Sequence, residues 1–327
     1  MTLHPSIALV RRGVRAVLEP LDPGATVVVA CSGGADSLAL LSATVFEARS
    51  RALRVVGVTV DHGLQPGSAE HAGDVVAQMA SIGADETMTA TVVVDAAGVG
   101  PEAAARQARY AVLEEVAQRL PAALVLLGHT LDDQAETVLL GLARGSGGRS
   151  LAGMRRGFDV FARPLLDVRR DDTLTACRVE GLEVWEDPHN ADPSFTRVRV
   201  RRTVLPLLEE ELGPGVARAL ARTADQLRDD TALLDDLADA LLAEVAGPDG
   251  LSVPRLADQP PALRRRVVRA AALAAGAPPA ELFHEHVLAV DALLTHWRGQ
   301  KWIDLPGHLR AVRRGDLLVV EPAPTHV

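Results

Sequence analysis

Between residues 26 and 143 the chain alternates two apolar spacings. Short runs rich in β-branched and aliphatic residues, TVVVACS, RVVGVTVDHG, TATVVVD and AALVLLGH, read as strands buried on both faces. Between them, near 35–48, 67–82 and 101–120 and again from Leu131, apolar residues recur every three or four positions, the spacing of helices packed on one side. Repeated strand–helix units of this kind predict a doubly wound, mostly parallel α/β sheet with helices on both faces and right-handed crossovers. Three strands end in polar residues: Ser32, Asp61-His62 and Gly128-His129. In a parallel sheet those tips lie along one edge, so a single crevice can use them all.

The pattern changes further along. A Gly/Arg-rich stretch, RGSGGRSLAGMRRG (144–157), and RPLLDV lead to a helix near 168–181 and then to EVWEDPHNADPSFTRVRVRR. After LGPGV (212–216) the chain turns to alanine- and leucine-rich helix, followed by the short strand-like pieces KWIDL, LRAV and DLLVV. The expected division is a first domain over 1–214 and a second, mainly helical domain over 215–327. PRLADQPPALRRR, rich in proline and arginine, is expected to be an interhelical loop. No tandem repeat is visible.

Composition narrows the function classes. With 327 residues there is core enough for two domains. A net charge of −9 argues against a protein that coats nucleic acid without specificity, while leaving room for a local basic patch. No apolar run reaches membrane-spanning length and MTLHPSIALVRRGV lacks the features of a leader, so a soluble, cytoplasmic protein is expected. Two cysteines, Cys31 and Cys177, make neither a disulfide framework nor a CxxC cluster site.

The densest chemistry lies in VVVACSGGADSLALL (27–41), a buried strand that runs through a Ser/Gly turn into a helix. Gly33 and Gly34 let backbone amides approach a ligand, Ser32 and Ser37 add hydroxyls, and the following helix points its unpaired N–H groups at the same spot. This is a cradle for an anion, most economically a phosphate. Asp36 fits beside a polyanion if a divalent cation bridges them or if it caps the helix. The loop is not the common GxxxxGK[ST] motif, whose lysine neutralises phosphate; the only lysine in the chain is Lys301.

A second constellation is GHTLDDQAETVLL (128–140). Leu131, Ala135, Val138 and Leu142 fall on one helical face, with Asp132 and Glu136 on a neighbouring one and Asp133 and Thr137 beside them. These acids either stabilise a helix start capped by Thr130 or hold a cationic substrate near His129. Upstream, Arg106 and Arg109 share a helical face and either meet solvent or reach an anion. Downstream, FTRVRVRR concentrates Arg197, Arg199, Arg201 and Arg202 beside Asp187, His189 and Asn190, as strand or as helix.

SGGADS resembles the SGGxDS loop of the ATP pyrophosphatase (PP-loop) family, which adopts the adenine nucleotide alpha hydrolase-like fold. The ordered set SGGADS, VDHGLQPGSAEHA, EAAARQARY, GHTLDDQAETVLLGLARGSGG, LAGM, RPLL and EDPHNADPSFTRVRVRRTVLPLL resembles the tRNA(Ile)-lysidine synthetases over nearly all of residues 26–210. The resemblance departs at Val198, where the family usually has Asn. It implies ATP-dependent joining of free L-lysine to the wobble cytidine of a CAU-anticodon isoleucine tRNA through an adenylated cytidine. It also implies roles. Ser32, Gly33, Gly34, Ala35, Asp36, Ser37, His62 and Gly128 would bind ATP, with Asp36 holding Mg²⁺. His129, Asp132, Asp133 and Glu136 would bind lysine, and Arg197, Arg199, Arg201 and Arg202 the tRNA. Asp36, Arg109, Asp132 and Glu136 would be the catalytic set.

Three rivals stand beside this reading. A tRNA sulfur transferase would need sulfur-handling cysteines, for which only Cys31 and Cys177 are present. A glutamine-dependent amidating synthetase would need an ammonia source. A nucleotide-sensing module would have little use for the acidic helix and the arginine cluster.

Overall fold

The computed structural model describes residues 3–61, 63, 67–92, 101–145, 147–187 and 191–324, with backbone alone at 101–103. The chain divides into two compact units, residues 1–145 with 153–224, and residues 146–152 with 225–327. The division falls ten residues beyond the composition break at 214, inside one long helix, and the Gly/Arg-rich stretch around 149 belongs to the second unit.

In the first unit, α1 (Pro5–Leu18) precedes β1 (Thr26–Ala30), α2 (Ala35–Arg49), β2 (Arg54–Asp61), α3 (Ser68–Ile82), β3 (Glu86–Thr91), α4 (Pro101–Arg119), β4 (Ala122–Leu126) and α5 (Leu131–Ala143). After α6 (Gly148–Leu151), which goes with the second unit, come a short hairpin, β5 (Gly157–Phe158) and β6 (Phe161–Ala162), and α7 (Arg170–Glu180). The sheet order is β3-β2-β1-β4-β6-β5, parallel throughout except for the β5–β6 pair. The apolar runs are continuous because both faces are covered. Val27 and Val29 pack into a core with α1, α2 and α7, whereas Val28 packs with Leu113 and Val116 of α4 on the other side. From β1 the chain steps outward to β2 and β3, then returns to place β4 on the opposite flank of β1. The carboxyl ends of β1 and β4 therefore flank the point where strand order reverses, the usual ligand crevice of such sheets.

The arginine-rich segment is helical: α8 (Thr196–Arg199) runs through a π-helical stretch, Val200–Val204, into α9 (Leu205–Glu211). Val198, at the position usually held by Asn, is buried, as are Val200 and Leu205.

The second unit contains the end of α10 (Val216–Val245), β7 (Ala246–Gly247), β8 (Gly250–Ser252), α11 (Val253–Ala257), α12 (Pro261–Ala274), α13 (His284–Thr295), β9 (Ile303–Leu305), β10 (Leu309–Arg314) and β11 (Leu317–Pro322). Its short strands form an antiparallel sheet in the order β7-β8-β11-β10-β9, whose core includes Leu256, Leu293 and Leu318. Two sequence expectations need correcting. PRLADQPPALRRR is an interhelical loop only at 258–260: Pro254 and Pro261 occupy first-turn positions of α11 and α12, where a missing N–H costs nothing, so those prolines start helices here. Leu142, expected on the buried face of α5, is 60% exposed because it lies in the last turn of that helix. No helix among the described residues is long and apolar enough to cross a membrane.

Candidate functional site

The turn after β1 is built around Ser37. Its hydroxyl accepts from the Ser32 amide at 3.1 Å and donates to the Gly34 carbonyl at 2.9 Å, closing the loop into a ring. Gly33 has φ +80°, and a Cβ there would strike Val75 and His71. From the far side the Trp185 amide donates to the Gly33 carbonyl, and the Trp185 ring stacks on His71 at 3.7 Å. Gly34 caps α2 with no side-chain hydrogen bond; the Ser37 amide donates to its carbonyl at 3.1 Å, and Ala35 and Asp36 line the crevice. Gly128, at the tip of β4, passes the start of α2 so closely that a Cβ would lie 3.1–3.2 Å from the backbone of Asp36 and Ser37. Ser32, Gly34, Ala35, Asp36, Ser37, Gly128, His129 and Asp133 all line one cavity of about 980 Å³, which Arg106, Arg109 and Tyr110 of α4 also line. His62, His189 and Asn190 lie outside the described residues.

The acids of α5 are not a free anionic surface. Glu136 is fully buried and receives Arg201 Nε at 2.7 Å, Arg197 Nε at 3.1 Å and Arg170 Nη1 at 3.4 Å. Asp133 turns one oxygen back to the Thr130 amide at 2.9 Å and offers the other to Arg170 and Arg201 at 2.8 and 3.1 Å. Asp132 accepts the backbone N–H of Arg170 at 2.8 Å, capping α7, with Arg169 3.7 Å away. Asp36, Asp132, Asp133 and Glu136 thus face Arg169, Arg170, Arg197 and Arg201, four charges against four.

Glu136, Arg197, Arg201 and Asp132 are all engaged within this network. Glu136 lies beneath three guanidinium groups, which compensate a buried carboxylate that would be costly alone. Arg197 and Arg201 both donate to it. Asp132 is a helix cap. Arg199 and Arg202 remain outside the network: Arg199 donates to the Pro193 and Ser194 carbonyls and to Thr196, and Arg202 reaches the Ala191 carbonyl at 3.5 Å.

Arg170 is the residue that sequence reasoning missed. Its guanidinium touches Asp36 at 3.3 Å as well as Asp133 and Glu136, so it joins the phosphate-type loop to the acidic helix. Its only signal in the sequence is the RR pair before DDTLTAC, which looks like an ordinary solvated helix start.

Charge states follow from burial and neighbours. Burial lifts the Asp36 carboxyl to about 6, with Arg170 pulling it down and Asp133 pushing it up. Burial also opposes ionisation of Asp133, but Arg170, His129, the Thr130 amide and Arg201 together hold it at about 2. His129 is pushed down to about 3 by burial, against the pull of Asp133, so its imidazole is neutral; its buried Nδ1 has no hydrogen-bond partner among the described residues. Burial raises both thiols, Cys177 to about 12. Neither is the thiolate that sulfur transfer requires.

The residues fit a divalent cation of one kind. Asp36 remains short of positive charge even beside Arg170, and Mg²⁺ commonly takes one or two carboxylates plus phosphate oxygens. An all-protein cage is not offered: among the described residues no three His, Cys, Asp or Glu side chains gather as ligands.

Comparisons with known proteins agree with this architecture. A sequence profile described as PP-loop domain matches residues 8–208, and one described as TilS substrate binding domain matches 251–318. A protein of Thermobifida fusca named tRNA(Ile)-lysidine synthase is 54% identical over 97% of this chain and 98% of its own length. Proteins of the same name from Streptomyces coelicolor (50% identical; 97% of this chain, 98% of that one) and Salinispora tropica (53%; 98% of each) are similarly close. Among solved structures, a U34-tRNA thiolase of Methanococcus maripaludis superimposes with a TM-score of 0.57 at 19% identity, covering 68% of this chain and 79% of that one, which speaks to the fold alone.

Proposed function

Since the chain belongs to the tRNA(Ile)-lysidine synthases, a family of PP-loop ligases, we propose that it joins free L-lysine to the wobble cytidine of an isoleucine tRNA with a CAU anticodon. The oxygen of a cytosine ring carbonyl cannot leave, so that ring carbon is a poor electrophile. Transfer of AMP from ATP to this oxygen releases pyrophosphate and converts the oxygen into part of a good leaving group. The ε-amine of lysine then attacks the ring carbon; a C–N bond forms, the C–O bond breaks and AMP departs. The observation that carries this reading is the common cavity: the amide-lined loop after β1 and the acid-bearing helix after β4 open into one space.

In this reading the first-turn amides of α2, with Ser32, Gly34 and Ser37, grip the phosphate tail of ATP. Asp36 would hold Mg²⁺, which when bound neutralises charge on the phosphates. Arg109 faces the same cavity and offsets charge that develops as pyrophosphate leaves. His129, neutral and with an Nδ1 unpartnered among the described residues, and Asp133, a fixed anion, receive lysine. Asp133 binds the ammonium without taking its proton, because a group held at about 2 is a weak base. Asp132 and Glu136 act from behind, the first by capping α7 and the second by fixing Arg170, Arg197 and Arg201. Arg199 and Arg202 are the guanidiniums left to meet RNA phosphates. The cytidine must be splayed from its loop to enter. Such a reaction belongs in the cytoplasm, where tRNA, ATP and free lysine meet.

Exchange of labelled pyrophosphate into ATP tests the order of steps. Exchange that needs the tRNA and proceeds without lysine supports adenylation of the cytidine. Exchange that needs lysine and ignores RNA would mean that the amino acid's carboxylate is activated instead, and this reading would be abandoned.

A further inference from the structure

The side of α7 that faces the phosphate-type loop carries Arg170, Thr173 and Cys177, at spacings of three and four, one stripe of a helix. Each touches the start of α2. Cys177 Sγ donates to the Ala35 carbonyl at 3.3 Å, the fully buried Thr173 hydroxyl donates to Asp36 Oδ1, and Arg170 Nε donates to Asp36 Oδ2 at 3.3 Å. Both oxygens of Asp36 are thus held from one helical turn. That turn is itself fixed, because Asp132 accepts the Arg170 amide and Asp133 and Glu136 hold its guanidinium. A threonine hydroxyl in a helix interior ordinarily bonds a carbonyl in the preceding turn, and Thr173 also lies 2.7 Å from the Arg170 carbonyl. Its single hydrogen cannot serve both acceptors in full, so the contact with Asp36 competes with that back-bond.

We propose that Thr173, together with Arg170, is the positioning pair for Asp36, fixing the plane of its carboxylate so that its remaining lone pairs face the cavity and the cation. The inference rests on the reading of Asp36 as the cation-holding carboxylate. Partners that orient a ligating carboxylate typically change metal affinity by about 10–100-fold when removed. Neither residue touches the nucleotide or lysine in this scheme.

The test uses the full chain with a non-hydrolysable ATP analogue and Mn²⁺ as the probe, its binding read by electron paramagnetic resonance. In parallel, the Mg²⁺ concentration that gives half-maximal pyrophosphate release is measured. Thr173→Val keeps shape and removes the hydroxyl. It is expected to weaken Mn²⁺ and raise the half-maximal Mg²⁺ by about 10-fold, leaving the KM for lysine within about 2-fold, and Thr173→Ser is expected to restore both. Arg170→Lys, which keeps the charge but loses the fork, supplies the same readout if the valine variant does not fold. A Thr173→Val protein with a lowered melting temperature but unchanged Mn²⁺ and Mg²⁺ dependence would overturn the inference. Asp36→Asn separates the two levels. If it binds Mn²⁺ as the parent does, the cation reading of Asp36 falls and the inference with it. If it loses Mn²⁺ while Thr173→Val does not, only the positioning role falls.

Discussion

Replacing Glu136 by glutamine separates a structural carboxylate from a substrate-binding one. The parent side chain is fully buried and accepts from Arg170, Arg197 and Arg201 at 2.7–3.4 Å. Glutamine matches its shape but carries no charge, and its amide nitrogen would point a donor at a guanidinium. Arg170 and Arg201 would then share Asp133, and Arg197 would lose its ion pair with Glu136. Breaking a buried ion pair by removing one partner typically costs about 3–5 kcal/mol. For a unit of roughly 150–250 residues each kcal/mol lowers the melting temperature by about 2–4 °C, so Glu136→Gln should melt about 6–20 °C below the parent. Differential scanning calorimetry at pH 7.5 measures this, with the KM for lysine determined at a temperature where both proteins are folded. A melting temperature within about 2 °C of the parent, joined to a large rise in lysine KM, would refute the reasoning. Glu136 would then be a lysine contact and not the buried counter-ion of the arginines.

Other consequences follow from the same geometry. Because burial lifts Asp36 from 3.8 to about 6, folding favours its protonated form, a contribution that is whole below about pH 4 and lost as pH rises through 6. Asp36→Asn, which cannot ionise, should therefore match the parent near pH 4 and exceed it in stability at pH 8 by on the order of 3 kcal/mol in urea melts; equal stability at pH 8 would contradict this. Both thiols are buried and raised, so Ellman's reagent should find no reactive cysteine in the native chain at pH 7.5 and two after unfolding, and replacement of both by alanine should leave ligation intact. Lost activity in that double variant would revive the sulfur-transfer reading. Arg202→Ala should weaken tRNA binding and lower the slope of log affinity against log salt by about 1, as expected for one phosphate contact. Arg197→Ala should mainly lower the melting temperature; the reverse assignment would show that the inward and outward arginines have been exchanged.

What the sequence disclosed was local. Apolar runs ending in Ser32, Asp61 and Gly128 gave the strand tips, because strand period and turn chemistry are written in neighbouring residues. The crevice followed from parallel pairing alone. Charge compensation was hidden, because it joins residues far apart in the chain. Arg170 meets Asp36 across 134 positions, and nothing beside either residue announces the other. For the same reason the pairing of Glu136 with Arg197 and Arg201, 61 and 65 positions away, was not legible from the spacing of either motif. The loop expected at PRLADQPPALRRR shows a different limit: proline both ends helices and begins them, and only the packing of Leu256 and Val267 in the second unit's core decides which.

The most direct test of the central claim is the identity of the product. Purified protein is incubated with ATP, Mg²⁺, labelled lysine and isoleucine tRNA bearing a CAU anticodon, and the RNA is digested to nucleosides for mass spectrometry. The account predicts label at the wobble cytidine alone, as a lysine-substituted cytidine, with one AMP and one pyrophosphate released for each lysine joined. Label in an alkali-labile ester at the tRNA terminus, or ATP consumed with no labelled nucleoside, would contradict it.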